Sequence, residues 1–420
     1  MFQLTSDQTD LRDRVRDIAM AKIRERVLEV PDCCDYPADL FSVLADEKLL
    51  GQEIPTAYGG RGLGELEACL VTEELARFSG TVSLMAAYVS LVAIPIMIAG
   101  TEEQKKRWLP PLVSGERLGS YALTEPDVGS DPAALQARAE RHGDTWVLNG
   151  RKKFIGNAGM AQTYVVFART GEAGSRGVSA FLVDGDSPGV SAEKLRTMGM
   201  PGWHLGAPVF EDVEVPHENL LGAEGEGFRI AMQTFDRSRP VVAAQAVGVA
   251  QGAIDLAVDY AMRRHTFGQP LLEHQGIQFK LAGLEAGTAA ARALTLQSAA
   301  AVDADDPAMT KLAAMAKMTA GDNAMRVTEE AVQVLGGNGY LKDFPAERMM
   351  RDAKVLQIYE GANEIQRLVI ARQMVKEATN REPVWPECMP GTHGWADGQP
   401  VSPDEEKGKS PEQQDVGARA

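Results

Sequence analysis

Four segments combine glycine with polar side chains more densely than their surroundings, and each offers a different chemistry. In Gln357-Ile-Tyr-Glu-Gly-Ala-Asn-Glu364, Glu360 stands beside the apolar pair Ile358 and Tyr359 and just ahead of Gly361. A carboxylate at such a junction, projecting into an apolar cavity, has its pKa raised by desolvation and becomes a general base near neutral pH. The same composition also describes a solvated inter-helix loop. In Arg263-Arg264-His265-Thr266-Phe267-Gly268, followed by His274-Gln275, arginine can grip a pyrophosphate and Phe267 can stack on a base. Arg and His also suit a helix C-terminus for its dipole alone. In Tyr121–Asp131, the hydroxyls of Tyr121, Thr124 and Ser130 frame a Pro/Gly loop that can offer donors to a polar ring or a phosphate. An Asp/Ser-rich turn is the plainer reading. In Gln333-Val-Leu-Gly-Gly-Asn-Gly-Tyr340, the glycines allow close approach of backbone to a ligand, or simply end a helix.

Other chemistries find no support. No GxGxxG follows a strand, and Gly59–Gly64 has the wrong spacing for a dinucleotide fingerprint. No P-loop, GxSxG, HExxH or Ser/His/Asp order is present. The cysteines Cys33, Cys34, Cys69 and Cys388 form no CxxC, so neither a zinc site nor a disulfide framework is expected. A formal net charge of −16 argues against a general nucleic-acid binder. The N-terminus is charged from Asp7 and lacks a signal-peptide core, and no run reaches the roughly 18 apolar residues of a membrane span. The expectation is a cytoplasmic, soluble, reduced protein with no metal, nucleic-acid or membrane partner.

Three textures must position these segments. Residues 1–117 read as helical: Leu11, Val15, Ile18, Ala19 and Ile23 recur at helical spacing, Leu66–Phe78 and Leu84–Ile98 continue the pattern, and Pro95 should kink or break the last. Residues 118–222 carry short β-branched or aromatic runs at Thr145–Leu148, Thr163–Ala168, Val178–Val183 and Val209–Val215, with Asn149-Gly150 as a hairpin signal. A small β-barrel or sandwich is expected there. Residues 223–380 turn helical again, as an antiparallel bundle over Val241–Met262, Phe279–Ala301 and Pro307–Leu335. Asn363 and Gln366 predict a capping box at the last helix. Residues 381–420 are too polar to order themselves and read as a disordered tail.

Taken in order, the four segments resemble the acyl-CoA dehydrogenase family across roughly Thr5 to Lys376, with Tyr121–Asp131, Arg264-His-Thr-Phe-Gly268, Gln333–Gly339 and Ile358-Tyr-Glu-Gly361 as the matching motifs. The resemblance implies an α+β fold with an N-terminal helical domain, a central β-barrel domain and a C-terminal four-helix bundle, assembled as a homotetramer. It implies non-covalent FAD. Tyr121, Leu123, Thr124, Phe154 and Gly156 would contact the flavin ring, and Gly129 and Ser130 would sit near the pyrophosphate and substrate entrance. Arg264, Thr266, Phe267 and Gln275 would meet the diphosphate and adenosine, with Gln333 and Gly337 reaching a cofactor from a neighbouring subunit. Asp236, Arg239, Tyr359 and Gly361, with Ser130, would lie by the acyl-CoA.

Glu360 would then remove the α-proton of the thioester, with flavin N5 as hydride acceptor, giving a trans-2-enoyl-CoA. Hydrogen bonds from the Glu360 backbone N–H and the FAD ribitol would stabilise the thioester oxygen. Electron-transfer flavoprotein would be the electron acceptor. Four departures qualify the match. Lys153-Phe-Ile-Gly156 has Phe and Gly where many members carry Trp and Thr, and Gly361-Ala362 replaces Gly-Thr. Ser238 lies where isovaleryl-type members place their base, and Val82 lies where glutaryl-type members carry an arginine. A carrier-protein or specialised-pathway thioester is the alternative substrate. A helical assembly protein without catalysis is the alternative class, and it would be colourless.

Overall fold

Amphipathic spacing sets the first helices. The computed structural model describes residues 4–32 and 36–380; the expectations for Cys33, Cys34, Cys388 and the 381–420 tail lie outside these residues. Ser6–Ile18 starts with a capping box at Thr5 and Gln8 and buries Leu11, Val15 and Ile18. A π-helical turn at Ala19–Ile23 then carries the chain into Arg24–Leu28. Glu65–Ala76 and Gly80–Ala99 are buried on nearly every side. Pro95 neither kinks the chain out of helix nor breaks it: Gly80–Ala99 runs unbroken across it. Ile94 and Ile96 on either side are buried, so packing outweighs the lost hydrogen bond.

Gly80–Ala99 and Gly227–Arg263 also correct the estimate of apolar length. Both are long and apolar enough to pass a membrane-span test by composition, but most of each is buried within the fold, as in core helices.

The middle of the chain forms one nine-stranded sheet. Thr163–Arg169 and Val178–Asp184 pair antiparallel within it, and Gly119–Ala122 joins the first of them in parallel. Both strands of this pair are buried on both faces. Val165, Phe167, Ala180 and Leu182 face the helical core. Tyr164, Val166, Phe181 and Val183 face a second core made with Trp146, Leu148, Phe210, Val213 and Val215. Asn149-Gly150 is not a hairpin turn. It lies within the strand Thr145–Arg151, as a bulge opposite Leu205–Pro216, where the Asn149 and Asp212 side chains and backbone exchange hydrogen bonds. The turn between Arg138–His142 and Thr145–Arg151 uses Gly143 at φ 66°.

The helices Gly227–Arg263, Gln275–Asp303 and Met309–Leu335 pack on one another, with Ala-rich faces allowing close approach. Ala346–Val355 follows, then Asn363–Thr379. The predicted capping box does not form. The Asn363 side chain turns to Lys317, Asp322 and the Met318 carbonyl, and Gln366 donates to the carbonyls of Glu360 and Gly361. These side chains hold the preceding loop in place of capping the helix.

Candidate active site

Glu360 sits in the loop between Ala346–Val355 and Asn363–Thr379 with φ 56°, a left-handed conformation that costs about 1–2 kcal/mol for a residue with a Cβ. Two carbonyls hold it there. The Glu360 C=O accepts from Arg239 Nε at 3.2 Å and Gln366 Nε2 at 3.1 Å. The Gly361 C=O accepts from Gln366 Nε2 and Lys317 Nζ, each at 2.9 Å. Gly361 is required here: its φ is 90°, and a Cβ would lie 2.6 Å from Gln366 Nε2. Gln366 is fully buried.

The clamp aims the carboxylate at Ser238, whose Oγ donates to Glu360 Oε2 at 2.7 Å. Burial pushes the Glu360 pKa up, while Ser238, Arg239 and Lys317 pull it back down. Burial also lowers Lys317 to about 8, against the attraction of Glu360. Among the described residues the Glu360 backbone N–H donates to nothing, so it stays available to an incoming oxygen.

Glu360 lines a cavity between the Gly80–Ala99 and Gly227–Arg263 helices and the edge of the sheet. Leu84, Ala87, Leu91, Trp203, Val241 and Val242 make its wall apolar. Phe154 and Gly156 line the same cavity. Phe154 is held at φ 59° with 57% of its surface exposed, and Lys153 Nζ lies over its ring, 5.2 Å from the centroid. Gly156 is explained by two residues that sequence reading missed. A Cβ there would meet Trp203 Cζ2 at 2.5 Å and Tyr88 Cζ at 2.6 Å. The Tyr88 hydroxyl accepts from the backbone N–H of Gly156 at 3.0 Å and of Tyr121 at 3.3 Å, bridging two strands. Trp203 meets the Tyr88 ring edge-on, centroids 5.0 Å apart.

Tyr359 joins this lining, and its hydroxyl donates to Gln245. Tyr121 is buried against Phe167 and Phe235, and its Oη lacks a full hydrogen bond among the described residues. Leu123 and Thr124 follow it. Their carbonyls accept from Lys152 Nζ at 3.0 Å and the Lys153 N–H at 2.9 Å. A buried ion pair, Lys152 to Glu125 at 2.8 Å, anchors this loop, and the Glu125 carboxylate also accepts from the Gln136 and Ala137 N–H groups. Neither Glu125 nor Lys152 was singled out from sequence, although Glu125 lies within the polar loop. Gly129 and Ser130 are exposed beyond it.

Asp236 and Arg239 pair at 3.2 Å, and Asp236 accepts from Thr310. Arg239 is buried, and its Nε is engaged by the loop. The remaining expected residues line a different part of the surface. Arg264 caps Gly227–Arg263 through its N–H to the Tyr260 carbonyl, and Asn338 of the glycine loop donates to the Tyr260 hydroxyl. Tyr260 thus ties the Arg264 and Gln333 segments to one helix end. Thr266 pairs with His274, while Phe267 stands 99% exposed at φ 52°. Gln275 begins the next helix, and Gln333 and Gly337 are exposed. None of these lines the Glu360 cavity. Val82 is fully buried and does not line it either.

Comparison with known proteins supplies the wider frame. Residues 5–116, 120–213 and 225–375 match the models of the acyl-CoA dehydrogenase N-terminal, middle and C-terminal domains. The chain is 41% identical to an acyl-CoA dehydrogenase of Bacillus subtilis, over 89% of this chain and 99% of that protein. It is 43% identical to a cyclohex-1-ene-1-carbonyl-CoA dehydrogenase of Geobacter metallireducens, over 89% and 100%. The solved structure of butyryl-CoA dehydrogenase from Megasphaera elsdenii superposes with a TM-score of 0.86 at 41% identity, covering 89% of this chain and all of that one. A structure described as the electron transferring flavoprotein of Acidaminococcus fermentans contains a chain that superposes at 0.87, also at 41% identity, over 90% and 100%. With three domain models in order and relatives matched along their full length, the chain belongs to the acyl-CoA dehydrogenase family and is an FAD-dependent oxidoreductase.

Proposed function

We propose that this chain oxidises a short- or medium-chain acyl-CoA to the trans-2-enoyl-CoA, with Glu360 as the base that takes the α-proton. The observation that carries this reading is the Glu360 carboxylate on the wall of an apolar cavity, with its pKa raised by burial and its own N–H unpaired. A thioester carbonyl bound at that N–H would bring its α-carbon beside the carboxylate, the arrangement general-base catalysis requires. Ser238 orients the carboxylate and Gln366 fixes its backbone.

The residues present suit FAD. Phe154 offers an exposed aromatic wall and Tyr121 a buried hydroxyl that lacks a full hydrogen bond, and beside Gly129 and Gly337 there is open space where a Cβ would lie. Tyr121, Leu123, Thr124, Phe154 and Gly156 would hold the ring, and Arg264, Thr266, Phe267, Gln275, Gln333 and Gly337 the diphosphate and adenosine. FAD supplies the hydride acceptor for the β-hydrogen.

The wider assignments follow the same reading: electron-transfer flavoprotein as acceptor, a homotetramer, and fatty-acid metabolism in the cytoplasm. The exposed Phe267, Phe279 and Tyr340 on the helical domain support burial against other copies. Purified protein should be yellow, and anaerobic acyl-CoA should bleach its flavin absorbance. A flavin that no acyl-CoA reduces would overturn the reading.

A further inference from the structure

Trp203 is the largest side chain on the wall of the Glu360 cavity, and it belongs to neither a helix nor a strand. It lies near the end of the loop that joins Val190–Lys194 to Leu205–Pro216. A loop side chain holds one place on a cavity wall only where its backbone is tied down.

The ties come from two helices. The Met198 C=O accepts from Arg351 Nη1 at 2.9 Å, and the Met200 N–H donates to Asp352 Oδ1 at 2.5 Å. The Pro201 C=O accepts from Thr81 Oγ1 at 2.9 Å. The Trp203 N–H then donates back to the Met200 C=O at 3.0 Å and closes the turn. Met200 is buried at φ 54°, a strained conformation that persists only where its surroundings impose it. Gly80 leaves the room for this junction: a Cβ there would lie 2.8 Å from Met200 Sδ and 3.3 Å from Asp352 Oδ2. Asp352 is 3% exposed and stands outside the cavity lining. Its helix, Ala346–Val355, leads directly into the Glu360 loop, so one element carries both the base and the main tie of the opposite wall.

We propose that Trp203 sets how large an acyl group the cavity admits, and that Asp352 is the positioning residue that holds Trp203 there through the Met200 N–H. This rests on the acyl-CoA reading above and concerns its specificity. Space in an apolar pocket discriminates by about 10- to 200-fold per methylene, so the bulkiest wall residue has the most to exclude. Without the Asp352 acceptor, the Met200 N–H is left buried and unpaired and the left-handed turn loses its tie. The loop then relaxes, and Trp203 keeps only its edge-on contact with Tyr88.

The test measures kcat/KM of the FAD-loaded enzyme for octanoyl-CoA (longer) and isobutyryl-CoA (branched), each divided by that for butyryl-CoA. Loss of folded enzyme cancels from these ratios. Trp203→Ala should raise at least one of them by about tenfold or more. Asp352→Ala should raise the same ratio by about threefold or more, and should add nothing in a Trp203→Ala background. Asp352→Asn keeps an acceptor for the Met200 N–H and should stay at the wild-type ratio. Thr81→Val removes the Pro201 tie and carries the same expectations as Asp352→Ala, should that variant fail to fold. Ratios unmoved by Trp203→Ala would overturn the proposal while leaving the dehydrogenase reading intact. So would an Asp352→Ala effect that Asp352→Asn shares, or one that persists without Trp203. Failure of every thioester to bleach the flavin would remove the dehydrogenase reading itself.

Discussion

Ser238 Oγ donates to Glu360 Oε2 across 2.7 Å, and 122 positions of chain separate the two residues. The bond favours the ionised carboxylate while burial opposes it, so the base is poised by two opposing effects.

A base must be deprotonated to act, so activity should rise with pH as Glu360 ionises, at a higher pH than an ordinary glutamate because its pKa is raised. Ser238→Ala removes the side chain that most lowers that pKa. The ascending limb of the kcat/KM profile should therefore shift to higher pH. A limb that stays in place, or moves to lower pH, would show that Ser238 does not tune the base.

Glu360→Gln preserves shape but cannot accept the α-proton. Turnover should fall by at least about 100-fold while FAD and acyl-CoA binding persist. Anaerobic flavin reduction and ligand-induced spectral change measure the two separately; near-wild-type reduction rates would remove Glu360 from its role.

Gln366→Leu tests the clamp. It removes two donors from the Glu360 and Gly361 carbonyls without touching the carboxylate. We expect kcat to drop by about tenfold or more through loss of positioning, with little change in the ascending pH limb. A shifted limb with unchanged kcat would mean that Gln366 acts on the pKa instead.

Gly156→Thr should destabilise the fold by about 1–3 kcal/mol, because Tyr88 and Trp203 already fill the space. Combining it with Tyr88→Ala should cost less than the sum of the single changes, measured by denaturant unfolding. Strict additivity would show that the two side chains do not compete for that volume.

Arg264→Ala should weaken FAD retention through gel filtration, since on the proposed reading its guanidinium grips the diphosphate. Full flavin content after the column would assign Arg264 a purely structural role.

Much of the fold was legible along the chain because its signals are local. Helical spacing at Leu11, Val15 and Ile18 and strand runs at Thr163–Arg169 report which face of an element is buried, and neighbours in sequence carry that information. Local signals failed where packing overrode them. Pro95 stays helical because the core closes on both sides of it, and Asn149-Gly150 lies in a bulge because Asp212 pairs with it from another strand. Asn363 and Gln366 abandon the helix cap for Lys317, Asp322 and the Glu360 loop.

The order of motifs was enough to single out Glu360, the three-part organisation and the expectation of FAD. It could not show what surrounds the carboxylate. Ser238, Tyr88 and Trp203 come from separate helices and loops, and only folding brings them to one cavity, with Gln366 holding the backbone of the Glu360 loop. Solvation and hydrogen bonding set whether a glutamate is a surface charge or a base, and both depend on atoms remote in sequence.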